Sequence, residues 1–407
     1  MELLYPRCAG LDVHKKSVVA HVKVPEGSEA RTFATTTNAI LALLDWLSKK
    51  GVTHVAMEST GPYWKPIWNV LEGHVDVTLV NPQHIKAVPG RKTDMKDAEW
   101  ICDLHRHGLL TKSYVPERPQ RELRELVRYR KTLVEERARE LNRVQKTLEG
   151  ANVKLASVAA NVMGVSGRAI LKQLVNGVDD PEELVKFVKG RLRSKIPELT
   201  EALKGLMQPH QRFMLGEQIA HISALEAIIG EVETEIGKRL DPFEATVARL
   251  MTIPGIGRRV AEVIVVEVGE DAAHFASDRH LASWAGLCPG NRESAGKRLE
   301  SRSRQGNPHL KQAMVEAAWA ATHTPTYLGA QFRHLSKRLK GKKALVAVAH
   351  SIITIVYHVL KDGVEYKELG IDYFERRDRE RLERQAVRRL EALGYDVILS
   401  PKDPAVA

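Results

Sequence analysis

Four carboxylates in the first hundred residues have the types and positions for phosphate chemistry: Asp12, Glu58, Asp94 and Asp97. Asp12 sits in the apolar run Ala9-Gly10-Leu11-Asp12-Val13. Glu58 ends a second run, His54-Val55-Ala56-Met57-Glu58, just before the breakers Gly61 and Pro62. An aspartate amid Gly, Leu and Val in a strand is costly unless it is paired or holds a cation. Asp94 and Asp97 stand three apart in Lys92-Thr93-Asp94-Met95-Lys96-Asp97-Ala98, where a helix is expected to open. Residues three apart on a helix share a face, so these two can converge. Ordinary readings stand beside this one: Glu58 as a strand end, Asp94 as a helix cap, Asp97 as a first-turn residue favoured by the helix dipole. Gathered together, four carboxylates would repel unless a cation held them, and an all-oxygen set suits magnesium or manganese. The expectation is a metal-dependent site for phosphoryl transfer.

A second segment with chemical potential runs from Asn291 to Asn307 and carries Ser294, Lys297, Arg298, Ser301, Arg302, Ser303 and Arg304. It reads as a polar loop between helices. In one reading it lies as a flexible basic loop on a phosphate backbone. In the other, one of its serines is a nucleophile toward phosphorus and the cations neutralise developing charge. Composition does not choose among Ser294, Ser301 and Ser303. Ile253-Pro254-Gly255-Ile256-Gly257 falls between two expected helices. Gly255 and Gly257 there either expose backbone N–H groups to a phosphate, as in a helix-hairpin-helix turn, or form an ordinary glycine turn. The 16 histidines are scattered without metal-ligand spacing. His14-Lys15-Lys16, beside Asp12, reads as a solvated turn in preference to a phosphate contact, and Tyr63-Trp64 with Trp68 as a helix face packed on a sheet in preference to a base-stacking platform.

The elements that must position these groups follow from pattern. Strands are expected at residues 9–13, 17–24 and 31–36, then a helix at 38–50, a strand at 52–58, a helix at 63–72, a strand at 75–80, and a helix opening near Thr93. Three early strands followed by αβαβα is the order of a ribonuclease H-like, or RuvC-like, domain over residues 1–115. It places Asp12 on the first strand, Glu58 on the fourth, and Asp94 and Asp97 on the closing helix. Residues 116–240 read as a helical, coiled-coil middle, with apolar stripes along 118–148 and 211–240. That spacing serves an antiparallel hairpin or a dimer zipper equally well. A mostly α-helical region, 241–366, holds the serine segment, and a charged tail, 367–407, closes the chain. The fold class is thus α/β plus α.

A chain of 407 residues has material for two or three domains. Its net charge of +11 points to a polyanionic partner, most simply nucleic acid. Cys8, Cys102 and Cys288 show no disulfide or zinc framework, which fits reduced, cytoplasmic thiols. No signal peptide pattern opens the sequence. The apolar stretch 344–360 contains His350, Ser351, Thr354 and His358 and falls short of the roughly 20 residues that span a bilayer, so a buried core helix and no membrane are expected.

Gly10-Leu11-Asp12-Val13-His14-Lys15, Glu58-Ser59-Thr60-Gly61-Pro62-Tyr63, Asn81-Pro82 and Lys92-Thr93-Asp94-Met95-Lys96-Asp97-Ala98 resemble the ordered N-terminal motifs of the DEDD-type insertion-sequence transposases related to the Piv DNA invertases (the insertion-sequence family numbered one hundred and ten). Ile253–Gly257, Trp284–Pro289, Glu293–Lys297, Gly306-Asn307 and Gly341–Ala349 resemble that family's C-terminal half, so the likeness spans residues 8 to 370. By this resemblance Asp12, Glu58, Asp94 and Asp97 match the four acidic, metal-binding residues, and Ser294 matches the serine of a Ser-Gly motif. Ala295 separates Ser294 from Gly296, a departure that leaves Ser301 as the alternative. The resemblance implies a site-specific recombinase, a covalent serine–DNA link, guidance by a structured RNA that pairs with donor and target DNA, and a homo-oligomer, dimer or tetramer, in a prokaryotic cytoplasm. Lys297, Arg298, Arg302 and Arg304, with Gly255 and Gly257, are the nucleic-acid-binding candidates. The serine and the carboxylates fall in separate regions, so their site is expected to assemble on DNA. Two other functions fit the residues: a RuvC-like junction nuclease using water, and a catalytically silent nucleic-acid-binding regulator.

Overall fold

Eight-residue β2 (Ser17–Val24) and six-residue β1 (Cys8–Val13) pair antiparallel, and β3 (Gly27–Ala34) extends them as an exposed edge. The computed structural model describes residues 3–82, 97–290, 292–294, 297–300, 303 and 305–399. β4 (His54–Glu58) and β5 (Asp76–Val80) then add in parallel on the other side of β1, giving the sheet order β3-β2-β1-β4-β5. β3 opens at Gly27, four residues before the expected start at 31. Its residues are almost all exposed, so apolar alternation fades there, and only the hairpin register with β2 defines it.

Period-two alternation splits the sheet into two faces. Ala9, Leu11, Val13, Val55 and Met57 are buried on one of them, against α1 (Thr37–Lys49) and α2 (Trp64–Leu71) through Ile40, Leu43, Leu47, Ile67 and Leu71. The opposite face carries α3 (Asp97–Arg106), whose Ile101 and Leu104 pack with Ala56 and Val80. These elements form a compact unit ending at Glu117; a second begins at Arg118.

In the second unit α4 (Arg118–Gly150) and α7 (Pro209–Leu240) run antiparallel, tied by Arg239–Glu122 at 3.0 Å near one end and Thr147–Gln218 at 3.2 Å near the other. Leu133, Leu225 and Ile229 bury the seam. The heptad-like spacing is therefore satisfied within one chain. Pro209 and a reciprocal Gln208–Gln211 capping box start α7 where the polar run gives way to the stripe. At the tip of this hairpin, α5 (Val165–Val175), α6 (Ile196–Ala202) and short turns close a core with Val144, Leu148, Leu215 and Ile222.

The chain continues through α8 (Glu244–Met251), α9 (Arg258–Val268) and α10 (Asp278–Trp284) to a small antiparallel hairpin, β6 (Arg292–Ser294) and β7 (Lys297–Glu300). This corrects the expected irregular loop, because charged residues hid the short strands. α11 (Pro308–Thr322), α12 (Tyr327–Ser336), α13 (Gly341–Asp362) and α14 (Tyr373–Glu391) follow. At 22 residues α13 is longer than the apolar run suggested, and among the described residues it alone is long and apolar enough to cross a membrane. Its buried Ala344, Val348, Ile352 and Val356 instead pack in the middle of α8, α10, α11 and α12.

Candidate active site

Asp12 and Glu58 come together because β1 and β4 are parallel neighbours in register, Gly10 opposite Ala56 and Leu11 opposite Met57. The next pair up is Asp12 beside Glu58, both half-buried at the C-terminal ends of their strands. Both point to the α3 face, since Gly10 and Ala56, two residues earlier, lie under that helix. Asp12 Oδ2 is 3.1 Å from His14 Nε2, and Thr60 Oγ1 donates to Glu58 Oε1 at 3.3 Å.

The path of α3 over β1 places Asp97. Cys8 Sγ lies 3.5 Å from Cys102 Sγ, whereas a Cβ on Gly10 would collide with Ala98 O and Cys102 N. Stepping up the strand moves the contact back along the helix, and about 6.7 Å for two strand residues matches roughly 6 Å for four helical ones. The helix therefore runs antiparallel to β1, and its first residue, Asp97, falls at the Asp12 end with Oδ1 fully buried. Lys23 of β2 ties the helix down through Asp103 at 2.7 Å and Glu99 at 3.2 Å. Asp94 lies outside the described residues.

Three carboxylates thus share one face and one end of the sheet. Their oxygen-only chemistry suits a hard divalent cation. Among the described residues, no three His, Cys, Asp or Glu side chains close into a metal-ligand group. Below them the Cys8–Cys102 pair is fully buried. The thiol hydrogen bond from Cys102 lowers the pKa of Cys8, and that same bond, with burial, raises that of Cys102.

In the second unit, Ser294 ends β6 directly opposite Lys297, and Glu293 faces Arg298 across the hairpin. Ser301, Arg302 and Arg304 lie outside the described residues. Below the hairpin, Pro289 bridges Ser303, whose Oγ accepts from Lys311 Nζ at 2.6 Å. Asn307 then fixes the exit. Its N–H donates to Trp284 O, its Oδ1 caps α11 at His309 and Leu310, and its Nδ2 donates to Glu267 Oε2 at 2.7 Å.

Glu267 is 1% exposed and receives both Arg128 nitrogens at 2.8 Å, with Arg124 Nε 3.3 Å away. Burial pushes its carboxyl upward, but Arg128, Arg124 and Asn307 outweigh this and hold it below the usual range. Arg124 and Gln120 also donate to the last carbonyls of α9, and Arg130 pairs with buried Glu262 at 2.7 Å. Sequence reading missed this clamp, because its partners are separated by more than 130 residues and each looks like a helix-surface charge. His14, read as part of a turn beside Asp12, is that carboxylate's partner, one residue beyond the end of β1.

Of the two turn glycines, Gly255 has φ +89°, and a Cβ there would collide with Ala317 O and meet Ala321 Cβ at 3.0 Å. Close packing on α11 accounts for it. Gly257 is exposed, with open space around it, at the start of α9.

The family model for DEDD transposases of the IS110 group matches residues 9–153, and that for the transposase IS116/IS110/IS902 family matches residues 247–333. The chain is 26% identical over 313 residues to the transposase for insertion sequence element IS1328 of Yersinia enterocolitica, covering 76% of this chain and 82% of that one. It is 28% identical over 309 residues to an uncharacterized insertion element IS110 protein of Streptomyces coelicolor, covering 69% and 73%. A pilin gene-inverting protein of Moraxella bovis is 22% identical over 373 residues, covering 87% and 95%. With matches to one family in both halves, and together over more than half its length, the chain belongs to the IS110 family of transposases.

Proposed function

We propose that this transposase cuts and rejoins DNA strands using the carboxylates of a RuvC-like N-terminal unit and Ser294 as nucleophile. The observation that carries the reading is the convergence of Asp12, Glu58 and Asp97 on one face at one end of the sheet. A magnesium or manganese ion held by Asp12, Glu58, Asp94 and Asp97 would supply positive charge at the scissile phosphate. His14, within hydrogen-bond distance of Asp12, orients that carboxylate. Ser294 Oγ forms a bond to phosphorus as the bond to one sugar oxygen breaks, and the proton lost by the serine ends on that oxygen. One phosphodiester replaces another, so the strand is rejoined by the reverse exchange without ATP. Lys297, Arg298, Arg302 and Arg304 neutralise phosphate charge, and Gly257 offers backbone N–H groups at an exposed helix start.

Donor and target DNA are the proposed substrates, with a structured guide RNA and a second or further copies of the chain as partners. The charge of +11 supports a polyanionic assembly. Pilin gene inversion by the Moraxella relative supports strand exchange between paired sites. The proposed division is 1–115 for the carboxylates, 116–240 for the helical hairpin, 241–366 for the serine and 367–407 for the tail.

Incubation with DNA carrying the element's ends, followed by denaturation, tests the chemistry. A protein–DNA adduct present in the wild type and absent in Ser294→Ala supports it, whereas normal cleavage by Ser294→Ala refutes the serine. Wild-type strand exchange by Asp12→Asn refutes the carboxylate site.

A further inference from the structure

The tip of the α4–α7 hairpin carries a run of cations that the functions above leave unused. Residues 184–197 contain Lys186, Lys189, Arg191, Arg193 and Lys195 and not one Asp or Glu. The last four sit on every second residue in and beside a 3₁₀ turn, Gly190–Lys195, and all are exposed. Several cations around them are paired: Lys154 with Glu149, Arg168 with Glu226, Lys204 with Glu201 and Arg212 with Asp179. Among the described residues, Lys189, Arg191, Arg193 and Lys195 have no acidic partner.

The segment is held in shape. Ser166 Oγ accepts from Lys189 N at 2.8 Å and donates to Lys189 O at 3.2 Å, Arg193 Nε donates to Val188 O, and Ser194 Oγ donates to Arg191 O at 2.9 Å. Leu184, Val185 and Val188 are buried in the tip core beneath it. At about 2 Å per residue the four cations span roughly 12 Å, the length of three to four base-pair steps of a duplex backbone.

Its distance from the serine hairpin is set by α4. Glu267 joins Asn307, at the foot of that hairpin, to Arg128 of α4, and the tip core takes up α4 again at Leu148. Twenty helical residues separate those points by about 30 Å, or some nine base pairs.

We propose that this basic arc grips the phosphate backbone of duplex DNA flanking the exchanged strands, independently of base sequence. The arc acts as an outrigger: it lengthens the DNA footprint and adds salt-dependent affinity without touching the reacting phosphate. It goes beyond the strand-exchange reading and does not depend on which group is the nucleophile.

The test compares full-length wild type with Lys189→Gln/Arg191→Gln/Lys195→Gln by titrating a duplex DNA of about 40 bp over a range of salt. Loss of two to three phosphate contacts should reduce the slope of log K against log salt by about 2–3. Affinity near 0.15 M salt should fall by roughly tenfold or more, and the difference should shrink on a duplex of about 6 bp, too short to span from the serine hairpin to the tip. Lys154→Gln/Lys204→Gln, which removes paired cations from the same region, should leave the slope unchanged. An unaltered slope in the triple variant, or a loss seen with RNA and not with duplex DNA, overturns the proposal. Should the triple variant melt early, Arg191→Glu alone is read in the same way. A wild type that binds DNA through the tip yet performs no strand exchange would refute the functional reading and leave this one standing.

Discussion

Replacing Gly10 with alanine should dislodge α3 from the sheet and, with it, Asp97 from the Asp12 end. The added Cβ would lie well under 3.0 Å from Ala98 O and Cys102 N and 3.0 Å from Cys102 Cα. All three are backbone atoms, so no side-chain rotation relieves the collision. The helix must retreat by about 1 Å, and a gap of that size forfeits a quarter to a half of the dispersion attraction on each facing contact. Ala98, Ile101, Cys102 and Leu104 are all 2% exposed or less, so the whole buried face of α3 is affected. Overpacking of well-filled cores costs about 1–3 kcal/mol, and this site belongs at or above the top of that range, near 3 kcal/mol. Amide hydrogen exchange reads the effect locally: protection along Ile101–Arg106 should fall by about a hundredfold, while the α4–α7 hairpin keeps its own. Strand exchange should drop in parallel. Wild-type protection in α3 of Gly10→Ala would show that the helix does not lie where its contacts with β1 put it, and the placement of Asp97 would fall too.

The turn glycines separate packing from phosphate binding. Gly255→Ala should cost about 3 kcal/mol, because it adds positive-φ strain to a collision with α11, whereas Gly257→Ala should cost no more than about 1 kcal/mol; equal melting of the two variants would refute this. Glu267→Ala should cost about 3–5 kcal/mol by stranding Arg124 and Arg128, with denaturant titration as the measurement. Since the folded carboxyl titrates below its usual 4.5, its contribution is whole above that pH and lost as pH falls through the folded value. His105 works in a different window. Burial, then the charge of His54, lowers its pKa from 6.5 to about 4, so the unfolded chain binds the proton first as pH drops. Stability should therefore decline between pH 6.5 and 4 by roughly 3 kcal/mol, and His105→Phe should flatten that slope in a pH series of denaturant melts.

The order of the elements was legible because each announces itself within a few residues: alternating β1 and β2, the Gly61-Pro62 break, the apolar stripes of α4 and α7. Edges were less so. The start of β3 is exposed and the β6–β7 hairpin is rich in charged residues, and for such strands only the partner's backbone supplies the pattern. Asp12 and Glu58 were legible as a pair because parallel strands of one sheet end together, which makes two distant sequence positions spatial neighbours by topology alone. Cys8 and Cys102 were not, although they touch. Nothing in a separation of 94 residues distinguishes two core thiols that meet from two that do not.

The polar clamp shows why the rest stayed hidden. Arg124, Arg128 and Arg130 sit in a helix crowded with Arg and Glu, where every i,i+4 pair is an equally good partner on paper. Which arginines turn inward is decided by α9, whose Glu262 and Glu267 face them only after the chain has passed through the hairpin tip and back. A buried carboxylate needs several donors at once to offset its lost hydration, and Glu267 obtains them from α4 and from Asn307 together. Removing any one donor leaves the others to share the charge. The foot of the Ser294 hairpin and the long helix are thus held by one electrostatic knot, and Asn307→Ala should loosen the hairpin while leaving the Arg128–Glu267 pair formed. Wild-type hydrogen-exchange protection in β6 and β7 of that variant would show that the knot does not reach the serine.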